Sequence, residues 1–476
     1  MSQRRRRVLI GAGAVLLLTL AGGAGYYIYF RTATEHELAE LVANLDRDEP
    51  GWKQGDLDRK RFADLPAGQN SVPLFVKLQA QLPAGWNKQD PEEDWRDLPP
   101  GEPLPDQQAA ILRAHVAKVG KLLPEVRRLV DLPPGRFTVG WTPDMISTLM
   151  PHSFHGREVA DLLLQDAYFQ THRHDRNGAL VSCRAIVPVA RLFDDEPTMI
   201  SQLVRTACLD MAVQAVQHIL AAGAADEASL ASLQKALEDA DTKDGFRMGM
   251  RGERAAMHEL FTNLENGSVS LGTMMAVLGA RSPSGITVLD KAGELAMKSS
   301  VPTSHVWILR HLNEVIEASQ LPAAECSARL KALDEDAPSA PLLAKHLSGA
   351  AWGRFHEGFE RNHVRMRCAM IAIAAERYRI QHGRWPADLD ALAPQFLAEL
   401  PTDPYTDKAF KLRRVGSDFV VFTGGPDGNH KGDYYDRVPP QFPLAGLPPG
   451  TVPGSNYEFR LWSPARRGLP LAERLK

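Results

Sequence analysis

Residues 200–223 read ISQLVRTACLDMAVQAVQHILAAG, and they decide what the middle of this chain is. Leu203, Val204, Ala207 and Met211 recur at helical spacing, and the apolar positions from Val213 to Ile219 continue the same wide face. The stretch predicts a helix of about six turns, which Gly223 is placed to end in the left-handed conformation. Asp195 and Pro197 supply a helix-start signal upstream. Asp226 opens DEASLASLQKALEDAD, where Leu230, Leu233 and Leu237 repeat at i, i+3, i+7. Helices joined by turns such as HRHDRNG (172–178) and AAGAAD (221–226) make helical hairpins, which must stack to bury their faces. No fixed repeat period emerges, so the likeness to a tetratricopeptide-like stack is architectural.

Outward from this region, the first thirty residues carry the strongest signal. Arg4–Arg7 precede VLIGAGAVLLLTLAGGAGYYIYF (8–30), which contains no charge. As a helix it reaches roughly 34 Å, enough to cross a hydrocarbon core of about 30 Å. Tyr26, Tyr27 and Tyr29 fall where interfacial rings are favoured, and the arginines hold the N-terminus in the cytoplasm. A cleaved signal peptide is the competing reading, since LAGGAGYY offers small residues, but its apolar region would run only about 7–15 residues. The expectation is a single-pass cell-membrane protein, N-terminus cytoplasmic, body extracytoplasmic, with the bilayer as partner through 8–30. TATEHELAELVANLDRD (32–48) then predicts a helix with Leu38, Leu41, Val42 and Leu45 on one face.

The 476 residues suggest two or three domains. A net charge of −3 leaves no broad basic field for nucleic acid. The four cysteines (Cys183, Cys208, Cys326, Cys368) form no CxxC pair and sit in apolar helical settings, as small buried hydrophobes do. The organisation reads as a cytoplasmic stub (1–7), an anchor (8–30), a helix with a Pro-rich connection (31–135), an α-helical hairpin domain (136–336), an α+β module (345–438) and a Pro-rich tail (439–476). The fold class is mainly α with a small α+β C-terminal module.

Few residues look like chemistry. His152, His155, His172, His174 and Asp175 fall within 24 residues and are candidate zinc ligands. Their spacing favours polar turn residues instead. HELFT (258–262) and HEGFE (356–360) lack the second histidine of H-E-x-x-H, and GSVSLG (267–272) is not G-x-S-x-G. Asp194–Asp195 and the arginines of RMGMRGERAAMHELF (247–261) read as solvated charge. No catalytic residue is assigned and no cofactor is required. In TGGPDGNHKGDYYD (423–436), Asp427, Asn429, Asp433 and Asp436 offer oxygens around flexible glycines. As an EF-hand loop it fails, because Lys431 stands at position 5 and Val438 at position 12.

That loop ends a longer pattern over 366–428. A helix with Met370, Ile371, Ala374, Ala375 and Tyr378 on one face stops at Gly383, and Trp385-Pro386 turns into a short helix. FKLRR and DFVVFTGG, joined by Gly416-Ser417, form a β-hairpin. AAERYRIQHGRWP, LPTDPYTDKAFKL and FVVFTGGPDG, in that order, resemble the globular domain of the major pseudopilins of type II secretion systems. The resemblance covers about 366–436 and implies a pseudopilin-like helix plus a short antiparallel sheet. Carried over by position, it implies calcium at Asp427, Asn429 and Asp433. It also points to a membrane-anchored extracytoplasmic scaffold or protein-interaction protein of the bacterial cell envelope, with a protein partner and a link to secretion machinery that rests on the shared fold. The alternative is an extracytoplasmic metal-dependent hydrolase using His152, His155, His172 and His174.

Overall fold

The structure, a computed structural model, describes residues 3–475 apart from 64, 67, 87–94, 242–243, 278–287, 348–350 and 438–456; residues 3–16 of the first helix are described as backbone. Parts of the Pro-rich connection and of the tail therefore lie outside the described residues. Helix α1 (Gln3–Asp48) is continuous through the uncharged stretch and the amphipathic one. Among the described residues no helix is long and apolar enough to cross a membrane. Residues 8–16, which open the expected span, lie outside the described side chains.

The second half of α1 docks by its apolar face. Leu38, Leu41, Val42 and Leu45 gather with buried Trp52 and Leu309. Short helices α2 (Gln54–Ala63), α3 (Val72–Gln79), α4 (Asp106–Val119) and α5 (Leu123–Arg127) follow. The long helices α6 (Pro151–His172), α7 (Arg176–Arg191) and α8 (Met199–Ala222) pack against one another, and α9 (Glu227–Asp241) packs on α7. Their caps come from side chains that local spacing supplies. Asp175 accepts from the Gly178 N–H at 2.8 Å, and Asp226 from the Ser229 N–H at 2.8 Å. Helix α8 departs from the expected start: Thr198, not Asp195, is its cap, accepting from the Ser201 N–H at 3.0 Å. Gly223 also departs from expectation, because its φ of 174° is extended rather than left-handed.

Helices α10 (Gly245–Glu265), α11 (Leu271–Val277), α12 (Val288–Ser299), α13 (Val301–Ala318), α14 (Ala323–Asp336) and α15 (Leu342–Leu347) continue the stack. Helix α16 (Trp352–His382) ends at Gly383 in the left-handed conformation, φ 70°. Strands β1 (Thr402–Asp403) and β2 (Lys408–Ala409) pair briefly. Strands β3 (Lys411–Val415), β4 (Asp418–Phe422) and β5 (Glu458–Leu461) form an antiparallel sheet in the order β3-β4-β5. The strand-like tail segment thus makes β4 the central strand, and all five β4 residues are buried.

The interval 345–438 does not keep a core to itself. Met370 to Ala375 are buried, so α16 offers apolar side chains all round its C-terminal half. One side meets α8 and α9, and another meets β4 and β5. Its N-terminal half, through Trp352 and Phe359, joins a second core built from α10, α13 and α14. One helix therefore threads both cores.

Candidate functional site

The loop after β4 is held from both ends. The His430 N–H donates to the Gly424 carbonyl at 3.0 Å, and its Nε2 lies 3.0 Å from Glu458 Oε2 on β5. The Tyr434 N–H donates to the same carboxylate oxygen at 3.2 Å, and Arg413 donates to the Gly432 carbonyl at 2.9 Å. A Cβ on Gly432 would fall 2.6 Å from the Phe422 ring, and its φ is +63°, so glycine is required there. The loop brings Asp427 and Asn429 together, but as partners to each other. Asp427 Oδ1 accepts from the Asn429 N–H, and Oδ2 from its Nδ2, both at 3.1 Å. These bonds hold the exposed Asp427 carboxyl below its usual range. Asp433 has an interaction of its own, and the Asp436 side chain lies outside the described residues. Among the described residues no group of three His, Cys, Asp or Glu is arranged to hold a metal.

The four histidines proposed as ligands are not brought together. His152 and His155 stand in the first turns of α6 and His172 at its last residue, about 30 Å apart along the axis at 1.5 Å per residue. His152 is buried, with Nε2 2.7 Å from Glu196 Oε1. Glu196 is fully buried and also accepts from Ser201 Oγ at 2.5 Å and Arg61 Nη2 at 3.3 Å. The neighbouring carboxylates are occupied as well: Asp194 by Arg205 at 2.7 Å, and Asp195 by Arg136. The expectation of solvated charge fails here because these side chains converge from α2, the 135–137 segment and α8, beyond the reach of local pattern. It fails for Arg254 too, which is fully buried and donates to Glu49 at 2.5 Å and Asn313 at 2.7 Å. Only Arg247 of that group stays exposed.

A cleft of about 520 Å³ is lined by parts of α14, α16 and the 404–405 turn. Cys326 Sγ lies 3.5 Å from His356 Nε2, and Glu360 Oε1 lies 3.6 Å from the same nitrogen. Burial lifts the Cys326 thiol to about 11 and the Glu360 carboxyl to about 6, and lowers His356 to about 4. At neutral pH this is a thiol beside a neutral imidazole, without the thiolate that nucleophilic chemistry needs. Both contacts also use one ring nitrogen, whereas a triad places nucleophile and orienting acid on opposite nitrogens.

The most distinctive site lies where α6 turns into α7. A cavity of about 230 Å³ is lined by Thr171, His172, His174, Arg176, Glu102 and His218, among others. His174 takes φ +65°, which lets the chain reverse in three residues. His218 is buried and stacks on Tyr168 at 3.9 Å between centroids. Its Nδ1 accepts from the Gly101 N–H at 3.2 Å. Burial, then the nearby Arg176 and Arg474, lower its pKa to about 3, so the ring is neutral. Arg176 donates to the Thr171 carbonyl, and to the Ala222 carbonyl at 3.0 Å. Among the described residues it has no carboxylate partner. Sequence pattern marked His172 and His174 but missed His218, which arrives from the far end of α8. Its only local signal was a histidine within an apolar helical run.

Comparison with protein-family models, with curated proteins and with solved structures finds no match to this chain, so its assignment rests on the residues themselves.

Proposed function

We propose that this chain is a membrane-anchored extracytoplasmic scaffold or protein-interaction protein of the bacterial cell envelope. One observation carries the anchor. Tyr26, Tyr27, Ile28, Tyr29 and Phe30 are all exposed on consecutive positions of α1, with Leu17 and Leu18 exposed a little over two turns before them. Successive residues sit about 100° apart, so five in a row cover the whole circumference. A protein partner on one side leaves most of such a surface in water, whereas lipid surrounds it evenly. From Leu38 the same helix becomes one-sided and docks on α13, which ties the anchor rigidly to the body.

The scaffold reading rests on where the polar groups go. The histidines do not converge and the Cys326–His356 pair is unactivated. Most buried carboxylates are occupied by arginines that cross-link distant segments. The α16-and-sheet arrangement agrees with a pseudopilin-like module, and a secretion-machinery partner is the finer form of the proposal. Alkaline carbonate extraction of native membranes, with protease added from outside, tests the reading. Retention in the pellet with digestion of the body is the expected result. Release of the intact chain by carbonate overturns the anchor. Crosslinked pull-down from the envelope then tests the partner, and consistent absence of secretion components leaves only a shared fold.

A further inference from the structure

Buried polar groups in folded proteins are nearly always hydrogen-bonded, so each exception calls for a reason. Two exceptions line the cavity at the α6–α7 turn. Thr171 Oγ1 and Arg176 Nε are both buried and both find no partner among the described residues. Arg176 is moreover a cation with no carboxylate beside it, and burial alone accounts for its lowered pKa. Arg176 is half-buried, its Nη atoms meeting the Thr171 and Ala222 carbonyls and His174 Nδ1 at 3.4 Å, so the unmet groups are the buried Nε–H and the positive charge itself, which an anion would complete.

The surroundings reinforce this imbalance. A second cation, Arg474, is fully buried, donates to the Pro100 carbonyl at 2.7 Å and lies over the Trp462 ring. Its Nε also has no partner. The acid lining the cavity is Glu102, and it is already engaged. It accepts from the Leu471 N–H at 2.6 Å and stands 3.7 Å from Arg474 Nη2. His218 is neutral and so adds no charge of its own. The space around Arg176 is built with glycine: a Cβ on Gly223 would fall 2.7 Å from Nε and 3.3 Å from Nη2. The extended φ of Gly223 would suit any residue, so its role is room for the guanidinium.

We propose that the cavity lined by Thr171, His172, His174, Arg176 and His218 binds a small oxyanion, a phosphate or carboxylate group, on the guanidinium of Arg176. The donors the site offers to either group are the unpartnered Nε–H of Arg176 and the Thr171 hydroxyl, and a hydrogen bond from the charged guanidinium to an oxyanion is a strong one. A volume of about 230 Å³ exceeds what one such group needs, since a water's share of liquid is about 30 Å³. This inference is independent of the membrane reading.

Binding of inorganic phosphate, and separately of acetate, to the full-length chain in detergent tests it by titration calorimetry. Saturable binding of either ion at millimolar concentration is expected; phosphate alone marks a phosphoryl ligand, and both mark a general oxyanion site. R176Q is expected to weaken binding by about 10-fold or more, the worth of a charged hydrogen bond. Gly223→Ala, which drives a Cβ into the guanidinium, is expected to act in the same direction, and T171V by a few-fold. His155→Gln, outside the cavity, is expected to leave binding unchanged. Should R176Q fail to fold, Gly223→Ala and T171V decide. No saturable binding of either ion to the folded wild type, or binding that all three variants leave unchanged, overturns the proposal.

Discussion

The loop at 423–436 and the turn at 172–178 exchange roles between sequence and structure. The loop displays acids and glycines and looks like a cation site. In the fold, Asp427 is satisfied by Asn429, and His430 is anchored to Glu458. The turn displays histidines and an arginine and looks like polar surface. In the fold it holds a cation with no acid partner among the described residues, its buried Nε–H without an acceptor there, beside the unpartnered hydroxyl of Thr171. Residue types show what chemistry is available, whereas the fold decides which of those groups are already occupied.

The strongest way to break this comparison is to free a group that the structure shows as occupied. Glu376 is fully buried and receives Arg467 at 2.7 and 2.8 Å and Arg379 at 2.8 and 2.9 Å. Burial alone would raise its pKa, but the two guanidinium partners hold it down at about 2. Its removal in E376A leaves Arg467 buried without a counter-charge and releases the segment after β5 from α16. A loss of about 3–5 kcal/mol is expected in urea denaturation. A loss below about 1 kcal/mol would mean that this network is no more than an exposed ion pair.

Acid should act next in size. His218 is held at about 3 and His258 at about 4, chiefly by burial. Unfolded, both titrate near 6.5. Between those limits the unfolded chain binds more protons, so stability present at pH 7 falls as the pH drops below about 6.5. The expected loss is on the order of 2–3 kcal/mol per group by pH 4.5. Glu376 stabilises the fold above the ordinary carboxylate range and starts to lose that contribution only at the bottom of the window, so it adds little there. Glu360, raised to about 6, acts in the opposite sense, favouring the fold below pH 4.5 and losing that contribution as pH rises through 6. Urea midpoints from pH 7.5 to 4.5 check this, and H218Q should flatten the slope. A slope unchanged in H218Q would place the acid sensitivity elsewhere.

What the sequence revealed follows the same division. The helices from α6 to α10, the stop at Gly383 and the β3–β4 hairpin were legible because each depends on neighbours within a few residues. The insertion of β5 beside β4 was not, since the paired strands are about forty residues apart in the chain. Nor was the burial of Glu196, whose partners Arg61 and His152 lie 135 and 44 residues away. Gly223 was read as a cap because glycine after a helix most often is one. Its space-making for Arg176 depends on a side chain 47 positions earlier. The candidate cavity was half visible: His172 and His174 stood out by type, while His218 and Glu102 reach it only through folding.

His430 offers a smaller test of how firmly the loop is tied. H430A removes one of the two donors that Glu458 Oε2 has among the described residues and leaves the Tyr434 N–H in place. A cost of about 1–2 kcal/mol is expected, the penalty for partly orphaning a buried carboxylate. A neutral result would detach the loop from the sheet energetically.

The smallest expected effect belongs to the residue that looked most functional. Asp427 is exposed, and a cation there would have to compete with the Asn429 backbone N–H on one carboxylate oxygen and its side-chain Nδ2 on the other. Lys431 adds a positive charge to the same loop. Calcium favours six to eight oxygens, several of them charged. D427N is therefore expected to change stability by no more than about 0.5 kcal/mol, as exposed substitutions do. Melting with calcium and then with a chelator should give the same midpoint for wild type and variant. A calcium-dependent rise in the wild type that D427N abolishes would show that the loop rearranges around an ion. The loop would then join the α6–α7 turn as a site whose groups are completed by a ligand.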